Sequence, residues 1–179
     1  MTDNLTFNQV KPSNLSRQSI QQLADQVRRD LDGGSVQDLE NLVEKLGGEI
    51  SYVDLYEENG FETSGTINIT GFMKFTIFVA NHTNTLRDRF TIAHEIGHYI
   101  LHYLYPTQIK GESLGCVKAA RRGNQLAETE ANWFAACLLM PEENYREEFE
   151  KTQNYIAIAK HFKVSSRASY YRAKGLGLI

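Results

Sequence analysis

Apolar residues recur every three or four positions after Ser16. Ile20, Leu23, Val27 and Leu31 would share one face, which predicts a helix from Ser16 to about Asp30. Asp32-Gly33-Gly34 breaks it. A second helix is predicted with Ser35 as N-cap, Leu39, Leu42, Val43 and Leu46 on one side, and Gly47-Gly48 as the stop. The period then changes. Glu49 to Leu55, Gly65 to Thr70 and Lys74 to Ala80 are rich in Ile, Val, Tyr, Phe and Thr, with Gly and Asn between them, and predict three strands. Helical spacing returns at Thr85, which with Asp88 makes a capping box. This helix is expected to run to about Tyr105, with Pro106 closing it. The glycine-bearing stretch 107–123 predicts a mobile loop. Asn124 to Met140 predicts another helix, with Ala127, Ala131, Phe134, Leu138 and Leu139 on its apolar side, and Pro141 opens an acidic helix, PEENYREEFE.

The last stretch places Ile156, Ala159 and Phe162, then Val164-Ser165, then Ala168 and Tyr171, as in two short helices joined by a tight turn. That arrangement resembles a helix-turn-helix. The whole predicts an α+β fold, mostly helical, with a small three-stranded sheet packed beside the central helix. At 179 residues one domain is expected. Its parts are a flexible N-terminal tail, 1–15, a main body, 16–150, and a helix-turn-helix-like segment, 151–179, packed on it.

Charge changes this picture little. Nineteen basic and 22 acidic side chains give a net charge of −3, which excludes a polyanion binder acting through its whole surface. The segment after residue 150 is the exception: it carries Lys151, Lys160, Lys163, Arg167, Arg172 and Lys174 and no carboxylate side chain. Its basic balance would suit phosphate contacts, but packing or protein docking is the favoured reading. The two cysteines, Cys116 and Cys137, have no paired spacing, which fits a reducing compartment. No apolar run reaches the roughly 20 residues that span a bilayer. A cytoplasmic protein without membrane contact is expected.

The chemistry lies in RFTIAHEIGHYILH, residues 89–102. Residues four apart on a helix lie on one face about 6 Å apart along the axis, so His94 and His98 can aim at one point. Zinc accepts imidazole nitrogens at about 2.0–2.1 Å. Glu95, on the flank, is placed to take a proton from water and return it to a leaving amine. Buried histidines on this apolar helix need polar partners, and a metal supplies one. Position 104 is leucine, which excludes the motif extended by a third histidine. His102 is eight residues from His94, a rise of about 12 Å, too far for both to hold one ion.

A third ligand must then come from elsewhere. LAETEANWFAACLLMP offers Glu128 and Glu130, about 200° apart around a helix. Glu130 shares its face with Phe134, Cys137 and Leu138, the side expected to pack inward, and is favoured. Glu128 shares its face with Asn132 and Ala136 and stays the alternative. Arg87 and Arg89 read as surface residues, one of which could face substrate; Tyr99 and Tyr103 read as core or rim aromatics.

RFTIAHEIGHYILH followed by ETEANWFAACLLMP resembles the ImmA/IrrE family of metallopeptidases, a gluzincin-like group. The similarity extends to IFVAN and to IAKHFKVSSRASYYRAKGLGLI, and so spans most of the chain after residue 35. The resemblance implies a zincin-like fold and an intracellular zinc endopeptidase that cuts a helix-turn-helix transcriptional repressor, relieving repression in a stress response or mobile element. It implies one Zn2+ held by His94, His98 and Glu130, the glutamate before Ala-Asn, with Glu95 as general base. The long stretch from Pro106 to Asn124 is a departure. Two other readings use the same fold without this reaction: a non-hydrolytic regulator that binds a repressor or DNA, and a toxin–antitoxin component. Glu95 argues against an inert site, since binding alone needs no base.

Overall fold

The computed structural model describes residues 5–32, 38–54, 65–81, 84–120 and 124–179. In chain order the elements are β1 (Asn8–Gln9), α1 (Arg17–Asp32), α2 (Leu39–Lys45), β2 (Gly48–Val53), β3 (Thr66–Gly71), β4 (Lys74–Ala80), α3 (Thr85–Tyr99), a π-helical continuation of α3 (Ile100–Ile109), β5 (Val117–Ala120), α4 (Gln125–Leu139), α5 (Glu142–Thr152), α6 (Tyr155–His161) and α7 (Ser166–Gly175). The fold is α+β and mostly helical, as expected.

The sheet is larger than expected. Five strands, not three, lie in the order β1-β5-β3-β4-β2 among the described residues. β3 is antiparallel to both β4 and β5, while β2 runs parallel to β4 and β1 parallel to β5. Alternation along β4 buries Phe75, Ile77 and Val79 on one face, where they join Ile67 and Ile69 of β3 and Ile92, Ile96 and Tyr99 of α3 in one core. Tyr99 is fully buried, and its hydroxyl accepts a hydrogen bond from Met73 N–H at 2.9 Å in the β3–β4 turn, so it belongs to the core rather than to the chemistry. Gly47 makes the entry to β2 possible: at φ +82° it approaches Met73 so closely that a Cβ would lie 2.4 Å from that residue's carbonyl oxygen.

Four further expectations are corrected. The supposed flexible tail supplies β1, and Asn8 N–H donates to Cys116 O at 2.9 Å. The supposed mobile loop 107–123 holds the end of the π-helical segment and β5, whose Val117 pairs with Ile69. Asn84, not Thr85, caps α3, accepting from Leu86 N at 2.8 Å. Pro106 does not close the helix. From Ile100 the turns widen to the π form and run to Ile109 with Pro106 inside. A proline in an α-helix clashes with the carbonyl four residues back, a conflict the wider turn relieves. Thr107 Oγ1 donates to the carbonyls of Tyr103 (2.7 Å) and Leu104 (3.3 Å), supplying partners in the distorted turn. Ser35, the expected cap of the second helix, lies outside the described residues; Asp38 caps α2 by accepting from Asn41 N at 3.0 Å.

The C-terminal helices dock on the body through buried and half-buried polar contacts. Tyr145 of α5 donates its hydroxyl hydrogen to Ser169 O at 2.7 Å. The Arg172 guanidinium reaches Met140 O (3.0 Å), Cys137 Sγ (3.4 Å) and Gln21 Oε1 (2.8 Å), tying α7 to the end of α4 and to α1.

The helices α3 and α4 pack closely at Gly97. A Cβ on Gly97 would sit 3.2 Å from both Cα and O of Ala131 and 3.2 Å from Phe134 Cβ. Backbone atoms cannot step aside as a flexible side chain does. Gly97→Val should therefore lower stability by about 2 kcal/mol, the usual cost of overpacking, measured as a reduced midpoint in denaturant unfolding with an unchanged slope. An unchanged midpoint would show that the helices do not meet here.

Candidate metal centre

His94 and His98 sit on the face of α3 turned to α4, and α4 presents Glu128 to them. His94 Nε2 and His98 Nε2 are 3.1 Å apart. Glu128 Oε2 lies 3.3 Å from His94 Nε2, and Oε1 lies 3.1 Å from His98 Nε2. Donors at about 2.0–2.1 Å from a tetrahedral zinc stand about 3.3 Å from one another. The three separations are thus those of one face of a zinc coordination tetrahedron, and among the described residues His94, His98 and Glu128 are the group able to hold an ion.

This corrects the expectation for Glu130. The two glutamates do point to different sides of α4, and Glu130 is the more buried, but the partly exposed side with Glu128 is the one turned to the histidines of α3. The side with Glu128 and Asn132 meets α3. Glu130, almost wholly buried, accepts hydrogen bonds from Ser13 N (2.8 Å) and Asn14 N (2.8 Å) and pairs with His102 Nε2 at 2.9 Å. The sequence signal that favours Glu128 is Asn132, one turn further on. Its Oδ1 lies 3.0 Å from His94 Nδ1, the outer partner that a metal-binding histidine requires. Nothing in the sequence marked the backbone of Ser13 and Asn14.

With the three rings neutral, their partners dictate which ring nitrogens carry protons. Asn132 Oδ1 can only accept, so His94 Nδ1 donates and its Nε2 keeps a lone pair. Glu130 can only accept when ionised, so His102 donates from Nε2, and its Nδ1 is left to accept. His98 Nδ1, 2.9 Å from His102 Nδ1, must then be the donor, which leaves His98 Nε2 with a lone pair as well. Two lone pairs and a carboxylate converge, an arrangement that repels itself without a cation at its centre. Glu128 Oε1 is buried and receives no well-aligned hydrogen bond among the described residues.

Electrostatics favours positive charge at the cluster, whether as a proton on His94 or as a metal ion. Burial, with the charges of His94 and His102, pulls the His98 imidazolium down to about 4 against the opposing pull of Glu128. Burial also opposes the charged form of His94, but hydrogen bonding to Glu128 and the charges of Glu95 and Glu128 outweigh it and raise its proton affinity. Burial disfavours the Glu128 carboxylate, yet the His94 and His98 imidazoles beside it, whenever one carries a proton, hold it well below the usual carboxylate range. Glu130 is likewise lowered against its burial by His102 and Ser13. Glu95 is almost fully buried beside His94, and its charge is felt there.

Ligands and outer partners should separate by titration with zinc. Glu128→Ala should abolish tight binding of one equivalent. Glu130→Gln or His102→Phe should weaken it by about 10- to 100-fold, the usual cost of losing an outer partner. If Glu130→Gln removes binding and Glu128→Ala leaves it intact, the assignment is reversed. Because a proton competes for His94, zinc affinity should be greatest above that residue's raised pKa and decline as the pH falls through it.

Among curated proteins none matches the chain. The family model described as Peptidase_M78, the IrrE N-terminal-like domain, matches residues 44–174, a span that holds α3, α4 and every member of the His94, His98 and Glu128 cluster. The chain belongs to this peptidase family.

Proposed function

We propose that the protein is a zinc-dependent endopeptidase that cuts a helix-turn-helix transcriptional repressor in the cytoplasm and so relieves repression during stress or transfer of a mobile element. The observation that carries the hydrolase reading is the convergence of His94 Nε2, His98 Nε2 and Glu128 beside the buried carboxylate of Glu95. Membership of the peptidase family supports the reaction class. The likeness to ImmA/IrrE supports the repressor as substrate. Both cysteines are free thiols, and no helix among the described residues is long and apolar enough to cross a membrane, which suits the proposed compartment.

His94, His98 and Glu128 would hold one zinc ion, which when bound supplies Lewis acidity to water and to a peptide carbonyl. Glu95 takes the proton from the attacking water and delivers it to the departing amine. Asn132 and His102 keep the two imidazoles in the tautomer that presents Nε2. Glu130 holds His102, and the backbone of Ser13 and Asn14 holds Glu130.

Glu95→Gln keeps the size of the side chain and removes the base. It should retain zinc and lose about 100-fold or more in rate, the span of general base catalysis. The assay mixes purified, zinc-loaded protein with the repressor encoded beside its gene and follows the intact repressor on gels. A chelator should stop the cut. Cutting by Glu95→Gln at the parent rate would refute the mechanism, and a stable uncut complex would favour the non-hydrolytic regulator.

A further inference from the structure

A broad groove of 1420 Å3 runs between α1, the start of α3, α4 and α7. Thr129 and Asn132 line it, and Asn132 holds His94, so the groove borders the metal centre. Its volume exceeds the roughly 300–1,000 Å3 of sites for small molecules, which favours a chain segment as occupant.

Its charge is opposite to that of the protein as a whole. Arg17, Arg87, Arg167 and Lys174 are exposed along its walls, in a chain of net charge −3. Among the described residues none of the four is within ion-pair distance of a carboxylate. The fifth cation, Arg172, is engaged in docking α7. The one carboxylate on the walls, Glu142, is held by Arg146 at 2.8 Å. Between the cations lie apolar surfaces. Leu86 and Tyr171 are exposed, Phe90 and Trp133 half-buried, and Arg17 lies over the Trp133 ring at 4.3 Å.

We infer that this groove receives an acidic, amphipathic segment of a protein substrate and leads it to the metal centre. The inference rests on the peptidase reading and adds the chemistry of the substrate. Carboxylates of such a segment meet Arg87 from α3 and Arg167 and Lys174 from α7, while its apolar side chains cover Leu86, Trp133 and Tyr171. Nucleic acid fits less well. A helix that reads DNA must project into the major groove, whereas α7 forms a wall of this concavity and turns Arg167 and Lys174 toward α1 and α3.

The test measures binding apart from cleavage, on zinc-loaded Glu95→Gln protein. The probes are a labelled peptide in which Glu alternates with Leu and Tyr, its counterpart with Lys in place of Glu, and a labelled DNA duplex, each followed by fluorescence anisotropy. The acidic peptide should bind, and more weakly as salt rises. The double variant Arg167→Glu/Lys174→Glu should bind it about tenfold or more weakly, and Lys163→Glu, the same kind of change outside the groove, should not. Unchanged helicity by circular dichroism separates loss of the groove from loss of the fold; if the double variant unfolds, Arg87→Glu is read in its place. Equal binding of the two peptides, indifference to the reversals, or tighter binding of DNA overturns the inference. Cleavage by the parent protein without preference for acidic segments would overturn the groove and leave the peptidase standing; acidic-peptide binding without cleavage would do the reverse.

Discussion

The candidate metal centre depends on the close approach of α3 to α4 at Gly97 and Ala131. With a side chain at 97 the helices would stand further apart, and the carboxylate of Glu128 would no longer meet two imidazoles on the neighbouring helix. The contact is made of backbone, so it is rigid. It spaces donors that belong to different helices to within 3.3 Å of each other. Burial on the other face of α3, through Ile92, Ile96 and Tyr99 against the sheet, presses the helix from behind.

A second layer governs the ligands without touching the ion site. His98 leans on His102, His102 on Glu130, and Glu130 on the main chain before α1. Each bond fixes the direction of the next, and the sequence ends with a lone pair facing the cluster. Both neighbouring histidines thus serve one purpose in different layers. The π-helical turns begin just after Tyr99, and His102 lies within them, close enough to His98 for a 2.9 Å bond.

What could be read in the sequence follows from how local each signal is. The His94/His98 spacing and the flanking Glu95 lie within one turn of helix, so their relation needed no tertiary knowledge. The strands at β2, β3 and β4 and the helices α1 and α4 were legible from periodicity. Choosing between Glu128 and Glu130 required knowing what each side of α4 meets. The buried Glu130 turns to His102 and the main chain before α1, while the partly exposed Glu128 turns to the histidines of α3, so inward facing pointed to the wrong one. β1 and β5 are too short to show a period. Asn8 and Gln9 are exposed polar residues held by strand pairing, which leaves no hydrophobic trace. The groove, likewise, gathers Arg17, Arg87, Arg167 and Lys174 from three helices far apart in the chain.

The hydrogen bond from Ser13 to Glu130 crosses 117 positions of the chain. Contacts of such separation close late, because the entropy of a long loop must be met before they form. The support under His98 is therefore complete only when the first residues and the middle of the polypeptide have found each other. The tautomer of one imidazole in the middle of the chain is thus tied to backbone near its start, and a change at either place is felt at the other.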